Sequence, residues 1–265
     1  MIELDQFYRN NISNLLLTHL EIAGWEAEKI KKSDFEENYM KLLKFQSRTD
    51  WKKFRANVDL FEDTEYAIIS AFRFQLGDMT LKNRDYGELN IRLYGILNAV
   101  YLQIRALIEL SKLLNYPNPK EIEKSLKSLD VYKLRGIAGS HTVNFELDDE
   151  TKANNPGINK ITTFRIAQAC LNKTGDKIMA INENGITMNF NLLEVLSEYV
   201  KYSTDLLVNL IRHSIESLLR KKKDKLQMND RLEKLLMNLV EYSDINENRM
   251  YKDKLLNKYL NTSPR

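Results

Sequence analysis

The stretch LYGILNAVYLQIRALI, residues 93–108, decides the fold class of this chain. Its apolar side chains return every three or four residues, a spacing that aligns them along one face of an α-helix. The residues of this stripe are Leu93, Ile96, Leu97, Val100, Tyr101, Ile104, Leu107 and Ile108. Because so apolar a helix is not stable alone in water, the stretch predicts a core helix of a helical bundle.

Helical patterns surround this core helix on both sides. The helices that they predict span residues of about 4–24, 33–49, 61–76, 119–126, 191–225, 229–242 and 246–260. The segment NYPNP, residues 115–119, ends the core helix because proline lacks the backbone donor that a helix needs. The segment 191–225 is also strongly apolar on one side, so we expect these two long helices to pack antiparallel at the centre of the bundle.

The pattern changes to that of short strands between residues 142 and 190. The runs there are β-branched or alternate between apolar and polar residues, which is typical of strands. The last two runs flank Asn182-Glu183-Asn184-Gly185, a strong signal for a hairpin turn. The sequence therefore predicts a mainly α fold, a helical bundle with a small antiparallel β insertion around 142–190.

Composition is that of an ordinary globular protein. The chain has 265 residues, of which 43% are hydrophobic and 29% charged. We expect a single helical domain, residues 1–265, made of N-terminal helices (1–87), a core with the β insertion (88–225) and C-terminal helices (226–265).

Charge and cysteine usage exclude several kinds of site. The 40 basic residues nearly balance the 37 acidic ones, giving a formal net charge of +3, so a polyanion partner would need a local basic patch. The lone Cys170 excludes an intrachain disulfide and a Cys-based zinc site.

The chain carries no evident targeting or membrane signal. Its first residues, MIELDQFYRN, lack the pattern of a signal peptide, and polar residues interrupt every long apolar run. We therefore expect a cytoplasmic protein without a membrane partner.

The segment LRGIAGSHTVNF, residues 134–145, combines the two side chains best suited to phosphodiester chemistry. Arg135 offers a permanent cation with a planar donor fork, and His141 can exchange a proton near neutral pH. On a continuous helix, residues six apart point about 120° away from each other. Gly136 and Gly139 predict a break in the helix, and such a break or a second subunit would bring Arg135 and His141 together.

This arginine, short spacer and histidine, set behind the long apolar helix, resemble the HEPN superfamily. The resemblance covers residues 88–220, and LYGILNAVY (93–101) and GSHTVN (139–144) contribute to it. Members of this superfamily include metal-independent ribonucleases of toxin–antitoxin, CRISPR and anti-phage systems. The resemblance implies an endoribonuclease that cleaves RNA by attack of the 2′-OH, and a homodimer with the two Arg–His pairs at its interface.

The resemblance also implies roles for individual residues. Arg135 and His141 would be catalytic, and Ser140, Thr142 and Asn144 would orient the histidine or contact the substrate. No metal or cofactor would be required. An antitoxin or another defence-system protein is the implied protein partner.

Two alternatives compete with catalysis. Five residues separate Arg135 from His141, where the family usually has four, and Gly136 stands where active members often have a polar residue. Either feature could misplace the proton-transfer group, which would leave a non-catalytic module that binds nucleotide, RNA or a protein partner. In the structural alternative, Arg135 caps a helix C-terminus and His141 fills a polar niche.

The clearest basic patch is the run RKKKDK, residues 220–225. Such runs are most often a solvated helix end, where cations complement the negative end of the helix dipole. In the functional interpretation, Arg220, Lys221, Lys222 and Lys223 bind an RNA backbone.

Overall fold

The computed structural model describes residues 43–77, 85–139, 145–146 and 161–247, together with residues 37, 40 and 41. Side chains are not described for 145–146, 161–162 and 235–247. The predicted helix at 4–24 and most of that at 246–260 lie outside these ranges. The chain divides into two compact units, one formed by Met1–Val58 with Leu207–Arg265 and the other by Asp59–Leu206.

The described ranges contain six helices and five short strands, all named in chain order. The helices are α1 (Arg48–Phe74), α2 (Tyr86–Leu113), α3 (Pro119–Ser128), α4 (Asp130–Gly139), α5 (Leu192–Leu218) and α6 (Lys222–Glu247). The strands are β1 (Phe145–Glu146), β2 (Ile161–Thr162), β3 (Phe164–Ile166), β4 (Ile178–Asn182) and β5 (Thr187–Phe190). The prediction of a mainly helical fold with a small antiparallel insertion is confirmed.

Helix α2 is the core helix that the sequence predicted. Its N-terminus is capped by the Asp85 side chain, which accepts a hydrogen bond from the Glu88 backbone N–H over 3.3 Å. All predicted stripe residues are buried except Tyr101, which is half-buried. Within the part of the chain that is described, α2 alone is long and apolar enough to span a membrane, and most of its apolar segment is buried inside the protein.

The described residues of the β insertion form two small antiparallel sheets. In the first, β1 pairs with β2, so that Phe145 lies opposite Thr162. In the second, β4 is the middle of three strands, between β3 and β5. The predicted hairpin turn is confirmed: the Asn182 side-chain oxygen accepts from the backbone N–H groups of Asn184 and Ile186, and Gly185 has a φ of +80°.

A buried polar network joins three helices inside the second unit. The Tyr199 hydroxyl of α5 donates to Gln103 Oε1 of α2 over 2.9 Å, and Gln103 Nε2 donates to the Phe61 carbonyl of α1 over 3.3 Å. The two long helices therefore meet, and their antiparallel direction stays a prediction. Glu65 lies one turn beyond Phe61, and its Oε1 has no hydrogen-bond partner in the described structure. Burial, and secondarily the charge of Glu62, raises the pKa of Glu65 to about 8.

The predicted boundary between the second and third helices, 33–49 and 61–76, is wrong. Helix was expected over 33–49 and again over 61–76, but residues 43–47 form a turn in which Lys44 has a φ of 58°. The reason is a capping box at the start of α1. The Ser47 backbone N–H donates to Asp50 Oδ2 over 2.9 Å, and the Asp50 N–H donates to Ser47 Oγ over 3.2 Å. Helix α1 therefore begins at Arg48 and runs without interruption to Phe74.

The predicted helix 191–225 is also wrong at its end. Helix α5 stops at Leu218, and α6 begins at Lys222 and continues through the gap expected near 242–246. The break allows apolar residues of both helices, and Leu219 between them, to share one core cluster. This cluster is formed by Val208, Ile211, Ile215, Leu219, Met228 and Leu232. Two ammonium groups satisfy carbonyls of the last α5 turn: Lys225 donates to Glu216 O over 3.0 Å, and Lys44 donates to Ser217 O over 3.1 Å.

Candidate functional site

Helix α4 carries the predicted arginine and corrects the expected backbone break. The helix runs from Asp130 through Gly136 and ends at Gly139, and neither glycine has a positive φ. Its buried side chains are Val131, Leu134, Ile137 and Ala138. This apolar face packs against α2 and β3, which outweighs the intrinsic helix penalty of about 1 kcal/mol for each glycine. The predicted break at Gly136 is therefore wrong.

The guanidinium of Arg135 lies over the ring of Tyr101. Its Cζ is 4.0 Å from the ring centroid, well within the range of a cation–π interaction. Both side chains are half-buried. The ring of Tyr132, one helical turn before Arg135 on α4, lies 6.1 Å from the Tyr101 ring at a tilt of 39°. Two tyrosines and one arginine thus form a single cluster between α2 and α4, which we call the Tyr–Arg cluster.

Among the described residues, no hydrogen bond or ion pair engages the guanidinium of Arg135. Gly139 lies one turn further along α4, and a Cβ placed there would be 3.9 Å from Arg135 Cζ. Because glycine has no side chain, nothing from this position covers the guanidinium.

Two of the three acidic residues on α3 and α4, Glu123 and Asp130, have lysine partners close in sequence. Lys127 contacts Glu123 over 2.6 Å, and Lys133 contacts Asp130 over 3.0 Å. The hydrogen bond from Lys127 and its charge lower the pKa of Glu123, and the exposed Arg105 of α2 contributes in the same direction. These pairs keep the carboxylates of Glu123 and Asp130 engaged with lysine.

The other residues of the predicted catalytic segment lie outside the described residues. These are Ser140, His141, Thr142 and Asn144. The pairing of Arg135 with His141 therefore stays a prediction.

The basic run lies at the junction of α5 and α6. Arg220 and Lys221 stand between the two helices, Lys222 and Lys223 belong to the first turn of α6, and all four side chains are exposed. The sequence predicted that these cations complement the negative end of a helix dipole. This is wrong for Lys222 and Lys223, because they lie at a helix N-terminus, which carries the positive end of the dipole. Lys222 and Lys223 therefore add to the positive potential there, which favours a bound anion.

Sequence reasoning missed the aromatic part of the site. Tyr101 was assigned to the apolar stripe, and Tyr132 lay in a segment for which no helix was predicted. A weak signal existed, since tyrosine at the margin of a buried stripe commonly keeps one side accessible. Within the described ranges, no group of three His, Cys, Asp or Glu side chains is arranged to hold a metal ion.

Similarity to known proteins adds nothing to this geometry. No family model, curated protein or solved structure matches the chain.

Proposed function

We propose that this chain is a metal-independent endoribonuclease of the HEPN type that cleaves RNA by transesterification. The observation that supports the proposal is the presentation of Arg135. Its helix is fixed by a buried face, its guanidinium is held over Tyr101, and its donors are not engaged by the described residues. A planar cation held in this way is suited to bidentate contact with phosphoryl oxygens.

The proposed reaction needs one proton-transfer group and one charge stabiliser. The ribose 2′-oxygen loses its proton and bonds to the adjacent phosphorus while the bond to the 5′-oxygen breaks. The leaving 5′-oxygen takes up a proton, so the products are a 2′,3′-cyclic phosphate and a 5′-OH. His141 moves a proton, a contribution of about 10²–10⁴ in rate, and Arg135 stabilises the charge on the phosphoryl oxygens. Ser140, Thr142 and Asn144 orient the histidine or contact the RNA.

A homodimer completes the proposed site. Helix α4 continues through Gly136 and ends at Gly139, so the backbone break that was expected to bring Arg135 and His141 together does not occur at Gly136. A second copy related by two-fold symmetry can supply the His141 that acts with Arg135 of the first copy, and we favour a composite site of this kind. The exposed basic run contacts the RNA backbone in this proposal. In the same proposal, the protein is a cytoplasmic effector of a defence or toxin system, and another protein inhibits it.

Cleavage of single-stranded RNA in the presence of EDTA tests the proposal. The wild type should cut, and both His141→Ala and Arg135→Ala should abolish cutting while each variant still unfolds in a cooperative thermal transition. Mass spectrometry of the fragments should find 2′,3′-cyclic phosphate and 5′-OH ends. His213→Ala, which removes a half-buried histidine of α5, is the matched control and should retain activity. Equal cleavage by the wild type and His141→Ala would contradict catalysis at this site.

The second candidate function is RNA or nucleotide binding without turnover. The contact of Arg135 with Tyr101 favours it, because a cation positioned by a ring can bind phosphate without any proton transfer. In that case the wild type would bind RNA and leave it intact, and Arg135→Ala would weaken binding. The cleavage assay and a binding assay on the same preparations separate the two functions.

A further inference from the structure

We infer that Tyr101 is a positioning residue for Arg135. Its ring holds the Arg135 guanidinium in place to bind a phosphate of single-stranded RNA. The inference rests on the proposed function insofar as the anion is an RNA phosphate. It assigns to Tyr101 a role beyond the packing that its place in the apolar stripe suggests.

The first argument is the geometry of the contact. The Cζ of Arg135 lies 4.0 Å from the centroid of the Tyr101 ring. A cation–π contact of this kind attracts the charge of the guanidinium to the ring and does not pair its five N–H donors with a hydrogen-bond acceptor. The contact therefore restrains Arg135 while leaving donors that a phosphate needs.

The second argument is that Tyr101 is itself held in place. Its chain neighbour Val100 and the next-turn Ile104 are fully buried, which fixes this part of α2 in the core. The ring of Tyr132 lies 6.1 Å away on the other helix. A free arginine side chain must give up much rotamer freedom on binding, and one already held over a fixed ring has less to lose.

The third argument is the open side at Gly139. The position lies one turn from Arg135, is exposed, and would place a Cβ only 3.9 Å from Arg135 Cζ. A larger side chain there would cover the guanidinium. Because Gly139 has no side chain, this position itself leaves the Arg135 donors uncovered.

The test is a double-mutant cycle on the full-length protein. The probe is a fluorescein-labelled single-stranded 2′-O-methyl RNA, which has no free 2′-OH and so cannot be cut by the proposed reaction. Arg135→Ala should weaken binding by about tenfold and lower the salt-dependence slope by about one, as expected when one phosphate is no longer bound. Tyr101→Leu should reproduce most of both changes, Tyr101→Phe should retain wild-type behaviour, and the Tyr101→Leu/Arg135→Ala double variant should bind like Arg135→Ala alone.

The outcomes distinguish this inference from the proposed function. If Arg135→Ala binds RNA as tightly as the wild type, both the RNA site and the role of Tyr101 are overturned. If Arg135→Ala weakens binding but Tyr101→Leu leaves affinity and salt slope unchanged, the role of Tyr101 alone is overturned.

Gly139→Leu provides an independent variant that leaves Tyr101 intact. Because residue 139 is exposed, this protein should fold, and it should bind the same probe about tenfold more weakly since its side chain covers Arg135. Wild-type affinity in a folded Gly139→Leu protein would overturn the inference.

Discussion

Tyr199 donates its hydroxyl hydrogen bond to the side-chain oxygen of Gln103 over 2.9 Å, between helices α5 and α2. Both residues are buried, at 0% and 3% exposure. Burial, with a smaller contribution from Glu65, raises the pKa of Tyr199 well above its ordinary value, so the hydroxyl stays a donor. A polar group without a partner is costly inside an apolar core, so this bond selects one arrangement of the two helices.

Replacing Tyr199 by phenylalanine should destabilise the fold. The ring and its packing remain, but Gln103 Oε1 loses its donor while staying buried. We expect Tyr199→Phe to lower the free energy of unfolding by about 1–3 kcal/mol, measured by urea denaturation. Tyr202→Phe, at a half-buried position on the same helix, should change it by less than about 0.5 kcal/mol. Equal stability of the two variants would mean that the hydroxyl of Tyr199 contributes nothing.

Glu65 should make stability depend on pH. Its pKa is raised from 4.5 in the unfolded chain to about 8 in the folded protein, chiefly by burial and then by Glu62. Between these values the folded state holds a proton that the unfolded state has lost. The free energy of unfolding is therefore not reduced by Glu65 below about pH 4.5. It falls as pH rises towards about 8, by up to about 1.4 kcal/mol per pH unit.

The variant Glu65→Gln isolates this contribution. The amide is neutral at every pH, so the variant should gain stability relative to the wild type as pH rises from about 5 to about 8. Asp63→Asn, at an exposed position of the same helix, is the control and should keep the wild-type slope. A constant difference between wild type and Glu65→Gln over this range would show that Glu65 is ionised in the folded protein.

The periodicity of apolar residues predicted the strongly patterned parts of the fold. In these parts, the secondary structure that the local sequence prefers is also the one that buries its apolar side chains. The stripe of α2 and the hairpin at Asn182–Gly185 are of this kind. The start of α1 was missed although Ser47 and Asp50 have the spacing of a capping box. Helix α4 was missed because its two glycines suggested a break, whereas buried partners on α2 and β3 determine its backbone.

The candidate site was predictable only in part. The sequence identified Arg135 from its chemistry, but the contact with Tyr101 joins positions 34 residues apart on different helices. No local pattern predicts such a contact, since it depends on how α4 packs against α2. The break between α5 and α6 was missed for a related reason. Leu219 and Met228 fall in one core cluster only when the chain reverses between them.

Two glycine substitutions should have opposite effects on stability. A Cβ at Gly136 would meet nothing within 4 Å, and the residue is helical, so Gly136→Ala should stabilise the protein by up to about 1 kcal/mol. Gly185 also has open space but a φ of +80°, so Gly185→Ala should destabilise it by about 1 kcal/mol through backbone strain. Thermal unfolding measures both variants. Loss of stability in Gly136→Ala would contradict a continuous α4.

The basic run at the start of α6 should contribute to RNA affinity through charge alone. Replacing Lys221, Lys222 and Lys223 together with glutamine should weaken binding of single-stranded RNA across sequences and flatten its salt dependence, because fewer counterions are released. The pH dependence of any cleavage should not change, since none of these lysines transfers a proton in the proposed mechanism.

The matched control for this triple variant removes the same charge elsewhere. Lys52, Lys201 and Lys234 are exposed lysines on α1, α5 and α6, and their replacement by glutamine lowers the net charge equally. If the basic run is a binding surface, only the variant at 221–223 should flatten the salt slope, by roughly one for each phosphate that the protein no longer neutralises. Equal slopes in the two triple variants would mean that net charge, and not the junction of α5 and α6, sets RNA affinity.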